Sequence, residues 1–209
     1  MTYYNKDYFD WQKNHGAFGG VAELFKFQKY ILSSDKIIDF GCGGGFILAN
    51  IKCKEKIGIE INPDAREQAK ANGINVVAST EEIENEWADV IISNHALEHT
   101  HSPLEELKKL KAKLKVGGKI IFVTPYERRW DWTPNDINQH LFTWSPMNLG
   151  NLFSLAGFKV QSCETLKHRW PPYYLQIRKI FGEVLFDCIA KIYSRWKRDL
   201  YQVQIIATK

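Results

Sequence analysis

Short apolar runs alternate with longer amphipathic stretches along most of the chain. Seven of these runs are bounded by turn residues and predict β-strands at 36–40, 56–60, 74–78, 89–93, 119–125, 158–163 and 202–208. Between most of them, apolar residues recur at three- and four-residue steps, which is typical of helices packed on a sheet. The alternation predicts an α/β protein with a doubly wound, seven-stranded and mostly parallel sheet.

Three of the predicted helices begin at a polar residue that precedes a proline. These starts are Asn62-Pro63, Ser102-Pro103 and Ser145-Pro146. The first residue of each pair suits an N-cap and the proline suits the first helical position. Because Glu105 follows Ser102 by three residues, a capping box is also expected there.

Two further helices are predicted near the ends of the chain, over 21–32 and 173–198. The apolar face of the second contains Ile177, Phe181, Val184, Leu185, Cys188, Ile192 and Trp196. We expect this face to pack on the body of the protein or on a second subunit, so a homodimer is one interpretation. A lid over the acceptor and a weak contact with an anionic membrane surface are the alternatives.

A glycine-rich loop, Gly41–Gly45, joins the first strand to the next helix, so a ligand can approach its backbone closely. Glu60 ends the next strand, where an acid can hold ribose hydroxyls. A dinucleotide site needs a small residue where this chain has Phe46, which counts against a nicotinamide-dependent oxidoreductase. Asp39 would repel a pyrophosphate and attract an ammonium group. The loop therefore predicts a ligand with a cationic amino-acid end and a nucleoside end, which describes S-adenosylmethionine.

The same residues carry a family resemblance. Ile38–Gly45 resembles motif I of the class I S-adenosylmethionine-dependent methyltransferases, and Ile57–Asn62 resembles their second motif. The stretch Asp89–Pro125 resembles their small-molecule branch (methyltransferase type 11/23-like), with Leu-Glu-His after the fourth strand and Gly-Gly before the fifth. The resemblance implies a Rossmann-like methyltransferase fold whose last strand is antiparallel and is preceded here by a helical insertion.

The resemblance also implies one methyltransferase domain over 1–209. Its expected parts are an N-terminal arm or lid over 1–35, a cofactor-binding core over 36–125, and acceptor-side segments over 126–144 and 164–200. A helix that merely covers one edge of the sheet is the alternative interpretation of the arm.

Cofactor contacts are expected along the carboxyl edge of the predicted sheet. The expected cofactor-binding residues are Asp39, Gly41, Cys42, Gly43, Glu60, Ile61, Ser79, Thr80, Asn94 and His95. The resemblance implies that Asp39, the loop glycines and the backbone of 93–95 hold the methionine part. It places Ile61 against the adenine face. Thr80 is alternatively a helix cap.

Transfer of a methyl group needs alignment and a deprotonated acceptor. Histidines and acids that could remove the proton are His95, Glu98, His99, His101 and His140. His140 is the first choice because the loop after the fifth strand overhangs the methyl group in this fold, and His99 is the second. His140 alternatively orders its loop. A metal site formed by the histidines of 95–101 is disfavoured because zinc sites bring further ligands at recognisable spacing, so no metal is predicted.

Composition narrows the setting. The 209 residues are 44% hydrophobic and 25% charged, with a net charge of +4 and no long run of like charges, so no nucleic-acid partner is expected. Four scattered cysteines, the absence of a signal-peptide pattern and the absence of a long apolar run predict a cytoplasmic protein.

The expected activity is methyl transfer to a small-molecule acceptor, with S-adenosylhomocysteine as the product. O-methylation of a sugar or glycan precursor is favoured, and a quinone or natural-product precursor is the alternative acceptor. A protein that binds S-adenosylmethionine without catalysis, as the partner of an assembly, is the alternative from another class.

Overall fold

A computed structural model of the protein describes residues 16–127, 132, 134, 136, 138–197 and 200–209. It has a seven-stranded sheet made of β1 Lys36–Phe40, β2 Glu55–Ile59, β3 Asn75–Val77, β4 Ala88–Asn94, β5 Leu114–Glu127, β6 Lys159–Leu166 and β7 Leu200–Thr208. The order across the sheet is β3-β2-β1-β4-β5-β7-β6, and β7 runs antiparallel to both of its neighbours. The predicted doubly wound sheet with an antiparallel last strand is confirmed.

Helical segments connect the strands. Helical backbone covers 16–22 (α1), and the later helices are α2 Phe46–Asn50, α3 Pro63–Ala71, α4 Pro103–Lys113, α5 Pro146–Leu155 and α6 Tyr174–Trp196. Short 3-10 turns lie at Leu24–Lys26, Gln28–Tyr30, Thr80–Glu82 and Leu97–His99. Residues 1–15 of the predicted arm, and most of 128–137 in the predicted acceptor-side loop, lie outside the described residues.

The central strands are apolar on both faces because helices cover both sides of the sheet. Ile38 and Ile91 are fully buried in one core cluster, which also contains the apolar stripes of α4 and α5. Their neighbours Ile37 and Ile92 are fully buried in a second cluster on the opposite face, together with Leu48 of α2. The two core clusters therefore pack on both faces of the central strands, whose carboxyl ends form one edge of the sheet.

The single helix predicted over 21–32 is wrong. The structure has the end of α1 there, followed by the two 3-10 turns. Phe27, fully buried in the second cluster, lies between these turns. The segment bends toward the sheet because Lys26 reaches the side chain of Asn94 and Gln204 donates a hydrogen bond to the Lys26 carbonyl.

Helix ends and strand starts differ from the prediction at two further places. The predicted end of α4 at the paired glycines 117–118 is wrong, because α4 ends at Lys113 and β5 begins at Leu114. Ser102 is the N-cap of α4, but its side chain makes no capping hydrogen bond, so the capping box predicted with Glu105 is wrong. The caps at Asn62 and Ser145 are confirmed, since each side-chain oxygen accepts a backbone N–H from the first turn.

The long helix α6 differs from its prediction in shape and orientation. It is kinked at Gly182, whose φ of 72° and ψ of −178° suit glycine. Packing of its predicted apolar face on the body of the protein, one of the two expected arrangements, is wrong, and packing on a second subunit stays a prediction. The exposed apolar side chains include Phe181, Val184, Leu185, Ile192 and Trp196. Phe186, Ala190 and Ser194 are the buried residues of the helix. Among the described residues no helix is long and apolar enough to span a bilayer.

Candidate active site

Two cavities open along the carboxyl edge of the sheet. The first cavity has a volume of about 490 Å³, and its lining includes Asp39, Gly41, Cys42, Gly43, Asn94 and His95. The second has a volume of about 630 Å³, and its lining includes Gly41, Glu60, Ile61, Ser79, Thr80 and His95. All ten predicted cofactor residues therefore line one cavity or the other, and Gly41 and His95 line both.

The glycine loop is held against β2 by its own backbone. The N–H groups of Gly41 and Cys42 donate to the Ile59 carbonyl at 2.9 and 3.0 Å. Gly41 has φ of 72°, and a Cβ built on it would lie 2.2 Å from the Cβ of Ala96. The loop therefore requires glycine at this position both for its backbone conformation and for its close approach to the segment after β4.

Glu60 is fixed by two backbone donors. One carboxylate oxygen accepts the N–H of Gly43 at 2.9 Å, and the other accepts the N–H of Asn62 at 2.8 Å. Burial raises the pKa of Glu60, and these two hydrogen bonds act in the opposite direction. The two backbone hydrogen bonds thus fix the carboxylate of Glu60 beside the second cavity. Each oxygen still has a lone pair that can accept a hydrogen bond from a hydroxyl group.

Asp39 lies at the wall of the first cavity and is 2% exposed. Burial, followed by the negative charge of Glu60, raises the pKa of Asp39 well above its usual range. A cationic ligand in the first cavity would stabilise the ionised form. An ammonium group on the Asp39 side and a ribose on the Glu60 side therefore fit the donors and acceptors that the two cavities offer.

The segment after β4 is strained at the point where the cavities meet. His95 has φ of 57°, an uncommon conformation for a residue other than glycine, and its N–H donates to the Val123 carbonyl at 2.8 Å. The side chain of the preceding Asn94 accepts a hydrogen bond from the ammonium of Lys26 at 3.0 Å. Lys26 is buried and forms an ion pair with Glu23. The N-terminal segment thus supports a residue of the cofactor site.

Ser79 and Thr80 line the second cavity, and Ser79 also caps a short turn of the backbone. Ser79 is the N-cap of the 3-10 turn Thr80–Glu82, and its N–H donates to the Glu82 carboxylate at 2.9 Å. Thr80 is 2% exposed, whereas Ile61 is 65% exposed at the mouth of the same cavity. The alternative prediction of Thr80 as the cap is therefore wrong, since Ser79 takes that position, and both residues line the second cavity.

The two predicted catalytic histidines lie together. His99 lines the second cavity, and its ring centroid lies 4.8 Å from that of His140 in an edge-to-face arrangement. His140 Nδ1 lies 2.7 Å from a carboxylate oxygen of Glu127 at the end of β5. Glu98, which is fully buried, completes the group beside His99.

The surroundings shift the pKa values of these two histidines in opposite directions. Burial lowers the pKa of His99, and the charge of Glu98 opposes this only in part. Burial also acts to lower the pKa of His140, but the hydrogen bond to Glu127 and the charge of Glu98 outweigh it and raise the pKa. The pair thus combines a neutral imidazole on the cavity wall with a more basic one behind it.

The sequence did not single out two residues that organise this site. Glu127 ends a strand, and its role as the partner of His140 depends on the fold of the intervening loop. Lys26 resembles an ordinary surface lysine on a helix, and no local signal indicates that it reaches Asn94. Glu23 precedes Lys26 by three residues, a spacing that is equally typical of an exposed ion pair, so it does not indicate burial.

Comparison with known proteins places the chain in a family. The family described as "Methyltransferase domain" matches residues 12–163. Among curated relatives, the ribosomal protein L11 methyltransferase of Shewanella frigidimarina is 35% identical over 101 residues, which cover 43% of this chain and 33% of that protein. The match thus spans about a third of the length of that relative.

Solved structures have the same fold. A SAM-dependent methyltransferase from Archaeoglobus fulgidus superposes with a TM-score of 0.62 at 21% identity, covering 90% of this chain and 92% of that one. The methyltransferase of Haloferax volcanii in complex with the Trm112 methyltransferase activator gives 0.64 at 15% identity, covering 98% and 99%. With its family match and with a site that suits a sulfonium amino acid joined to a nucleoside, the chain belongs to the methyltransferase domain family as a class I S-adenosylmethionine-dependent methyltransferase.

Proposed function

We propose that the protein transfers a methyl group from S-adenosylmethionine to a hydroxyl group of a small-molecule acceptor, with a sugar or glycan precursor as the favoured class. The observation that carries this proposal is the meeting of the two cavities at Gly41 and His95, beside the half-buried histidines His99 and His140 and the buried carboxylate of Glu98. When bound, S-adenosylmethionine supplies an electrophilic methyl group on a positively charged sulfur.

The residues of the chain divide the cofactor between the two cavities. Asp39 and the loop glycines would hold the methionine part in the first cavity, and Glu60 would accept hydrogen bonds from the ribose in the second. Ile61 would cover one face of the adenine, and Ser79 and Thr80 would lie at its edge. This arrangement leaves the shared wall at His95 as the place where the acceptor is presented.

His140 and His99 are the proposed catalytic residues. Glu127 holds Nδ1 of His140 at 2.7 Å, so Nε2 is the nitrogen that remains for the acceptor side. His99 lines the second cavity and contacts the ring of His140, so it can orient a hydroxyl group there. Together these groups lower the cost of removing the hydroxyl proton, which is the main chemical demand of O-methylation.

Several features support a small acceptor. The second cavity, at about 630 Å³, is within the usual size range of small-molecule sites, although the cofactor would fill part of it. Less than half of the chain matches the ribosomal protein methyltransferase, so a protein acceptor is not carried over from that relative. A quinone or natural-product precursor remains the alternative acceptor, and a non-catalytic S-adenosylmethionine-binding partner is the alternative function.

The wider setting belongs to the same proposal. We expect one domain over 1–209 in the cytoplasm, with the segments 1–35, 126–144 and 164–200 forming the acceptor side. The described part of 164–200 contributes His168, Arg169 and Trp170 to the wall of the first cavity.

Calorimetry with S-adenosylmethionine and with NAD tests the cofactor, and methyl transfer from labelled S-adenosylmethionine to a panel of acceptors tests the reaction. The panel should contain sugars, lipid-linked glycans, quinones and a ribosomal protein. We expect S-adenosylmethionine to bind, NAD not to bind, and a hydroxyl compound to be labelled. Binding without labelling of any acceptor would favour the non-catalytic partner, and labelling of the ribosomal protein would contradict the small-molecule acceptor.

A substitution tests the proposed catalytic pair. His140→Gln should leave the affinity for S-adenosylmethionine unchanged and lower the turnover number by about 10²–10⁴-fold. Glu60→Gln should do the reverse and weaken cofactor binding by about tenfold or more, because it removes a charged acceptor. Full turnover in the His140→Gln protein would remove His140 from the mechanism.

A further inference from the structure

Three side chains that can bind a metal ion converge beside the second cavity. Glu98 and His99 come from the 3-10 turn Leu97–His99, and His140 comes from the segment after β5. One ligand atom from each of the three lies within 4.8 Å of the others. We call these three residues the Glu98 cluster.

Glu98 is the reason to look for a cation here. Its side chain is 0% exposed, and neither carboxylate oxygen has a hydrogen-bond partner within the part of the chain that the structure describes. The imidazole Nδ1 of His95 approaches one of the oxygens, but at 3.6 Å it is beyond hydrogen-bonding distance. A buried carboxylate without donors is costly, and a bound cation is a common way to offset that cost.

His140 has the environment of a metal ligand. Protein histidines that bind metals almost always donate their second ring N–H to a carboxylate or carbonyl group, which fixes the ring and makes the other nitrogen more basic. Glu127 provides this carboxylate at 2.7 Å from Nδ1, and Nε2 is thereby the ligand atom.

The two segments that carry the cluster are joined by their backbones. The N–H groups of Leu141 and Phe142 donate to the main-chain carbonyl of Glu98 at 2.9 and 3.3 Å. On the other side of His140, the carboxylate of Asp136 accepts the N–H groups of Asn138 and Gln139. The ligand-bearing side chains are thus brought together by a preformed scaffold, as a specific site requires.

We propose that Glu98, His99 and His140 bind one divalent transition-metal ion, with Zn²⁺ as the best match to the donors. Two imidazoles and one carboxylate are a known donor set of catalytic zinc sites, which keep a further position open. Mg²⁺ and Ca²⁺ prefer oxygen ligands and suit this cluster less well. Ligands at zinc bond lengths lie about 3.5 Å apart, so closure requires small side-chain movements.

The open position would face the second cavity, because His99 lines it. This part of the inference rests on the proposed function. An ion here would hold the acceptor oxygen and make its hydroxyl more acidic. The O–H bond would break with its electron pair left on oxygen and with the proton released to solvent. His140 would then act by holding the ion rather than by taking up the proton.

Sequence reasoning predicted no metal, since it considered only the histidines of 95–101, which are close together in sequence. The structure instead groups His99 with the distant His140 and the carboxylate of Glu98, and neither His95 nor His101 belongs to this group. His101 is exposed and lies outside the cluster. It therefore serves as a control.

The test is a calorimetric titration of chelator-stripped protein with ZnCl₂. We expect one Zn²⁺ per chain, tighter than Mg²⁺, and a higher melting temperature in the presence of excess Zn²⁺. Glu127→Gln should weaken Zn²⁺ binding by about 10–100-fold, and Glu98→Gln and His140→Gln should weaken it further. His101→Gln and Cys188→Ser, which remove an exposed imidazole and an exposed thiol, should leave the Zn²⁺ affinity unchanged.

Two outcomes would overturn the site: no stoichiometric Zn²⁺ binding, or an unchanged affinity in the Glu98→Gln and His140→Gln proteins. Circular dichroism and S-adenosylmethionine calorimetry on each variant report whether it is folded. If the Glu98→Gln protein does not fold because Glu98 is buried, the Zn²⁺ affinities of the His140→Gln and Glu127→Gln proteins still test the site, since these two residues are only half-buried. Failure of S-adenosylmethionine to bind would overturn the proposed function. The Zn²⁺ titration measures metal binding by the Glu98 cluster independently of that result.

Discussion

The glycine loop and the Glu98 cluster lie at the same edge of the sheet but are built in different ways. The loop site uses the backbone of one β-strand–helix–β-strand unit, so that Gly41, Gly43 and Glu60 are placed by neighbours close in sequence. The cluster uses side chains from two separate segments, which meet because β4 and β5 are adjacent in the sheet. A site formed by the backbone of one such unit can therefore be predicted from the sequence. A site formed by side chains of distant segments can be recognised only when the fold is known.

The two regions also differ in what supports them. Around the loop, each carboxylate oxygen of Glu60 has a backbone donor. In the cluster, Glu98 has no such donor among the described residues, and the order comes from the carboxylate–imidazole contact of Glu127 with His140. We infer that the protein's own hydrogen bonds are sufficient to order the loop site, whereas the Glu98 cluster needs a bound ion to pair its buried carboxylate.

The largest expected effect comes from the loop. Gly41→Ala should destabilise the protein by about 1–2 kcal/mol through backbone strain and by about 1–3 kcal/mol more through the clash with Ala96. Because the clash displaces the segment that lines both cavities, we expect the affinity for S-adenosylmethionine to fall by about 100-fold. Urea unfolding and calorimetry measure the two quantities.

Gly73→Ala is the matched control. Gly73 has a similar φ of 77°, but a Cβ there would meet nothing within 4 Å. The Gly73→Ala protein should therefore lose only the part of the unfolding free energy that is due to backbone strain, and it should bind S-adenosylmethionine as tightly as the wild type. Equal losses of stability and equal cofactor affinities in the two variants would mean that close packing against Ala96 does not matter to the site.

The same contrast explains what the sequence could predict. The strand order and the cofactor edge follow from apolar runs, glycines and caps, which are local signals. The face of α6 that packs on the body was predicted wrongly, because Val184 and Trp196 of the predicted apolar face are exposed, whereas Phe186, Ala190 and Ser194 are buried. Periodicity finds a helix, but it does not show which side of that helix packs against the rest of the protein.

The pH dependence of the stability can be tested at His168, a buried histidine in the wall of the first cavity that does not belong to the Glu98 cluster. Burial, aided by the charges of Lys26 and Lys191, lowers the pKa of His168 to about 4. The folded chain keeps this imidazole neutral, whereas the unfolded chain takes up a proton below about pH 6.5. Stability should therefore be lost as the pH falls from about 6.5 to about 4, by at most about 3 kcal/mol from this residue.

His168→Phe isolates that contribution, because the ring packs against Phe25 at a centroid distance of 4.5 Å and an aromatic replacement preserves the contact. The acidic side chain nearby is Asp187, which has a carboxylate oxygen 3.6 Å from the imidazole. Urea unfolding at pH 7 and at pH 4 should show a smaller loss for the variant than for the wild type. An equal loss in both proteins would mean that His168 is protonated without cost in the folded state.

The smallest effect compares two helix starts that look alike in sequence. Ser145 and Ser102 both precede a proline, but Ser145 has the extended backbone of an N-cap, with ψ of 161°, and its oxygen accepts the N–H of Asn148 at 3.3 Å. Ser102 has ψ of 72°, and its side chain makes no capping bond. Ser145→Ala should cost about 1 kcal/mol of unfolding free energy, and Ser102→Ala should lie within about 0.5 kcal/mol of zero. Equal costs in urea unfolding would show that the shared serine-proline pattern, rather than the backbone angle at the cap, determines the stability of both helices.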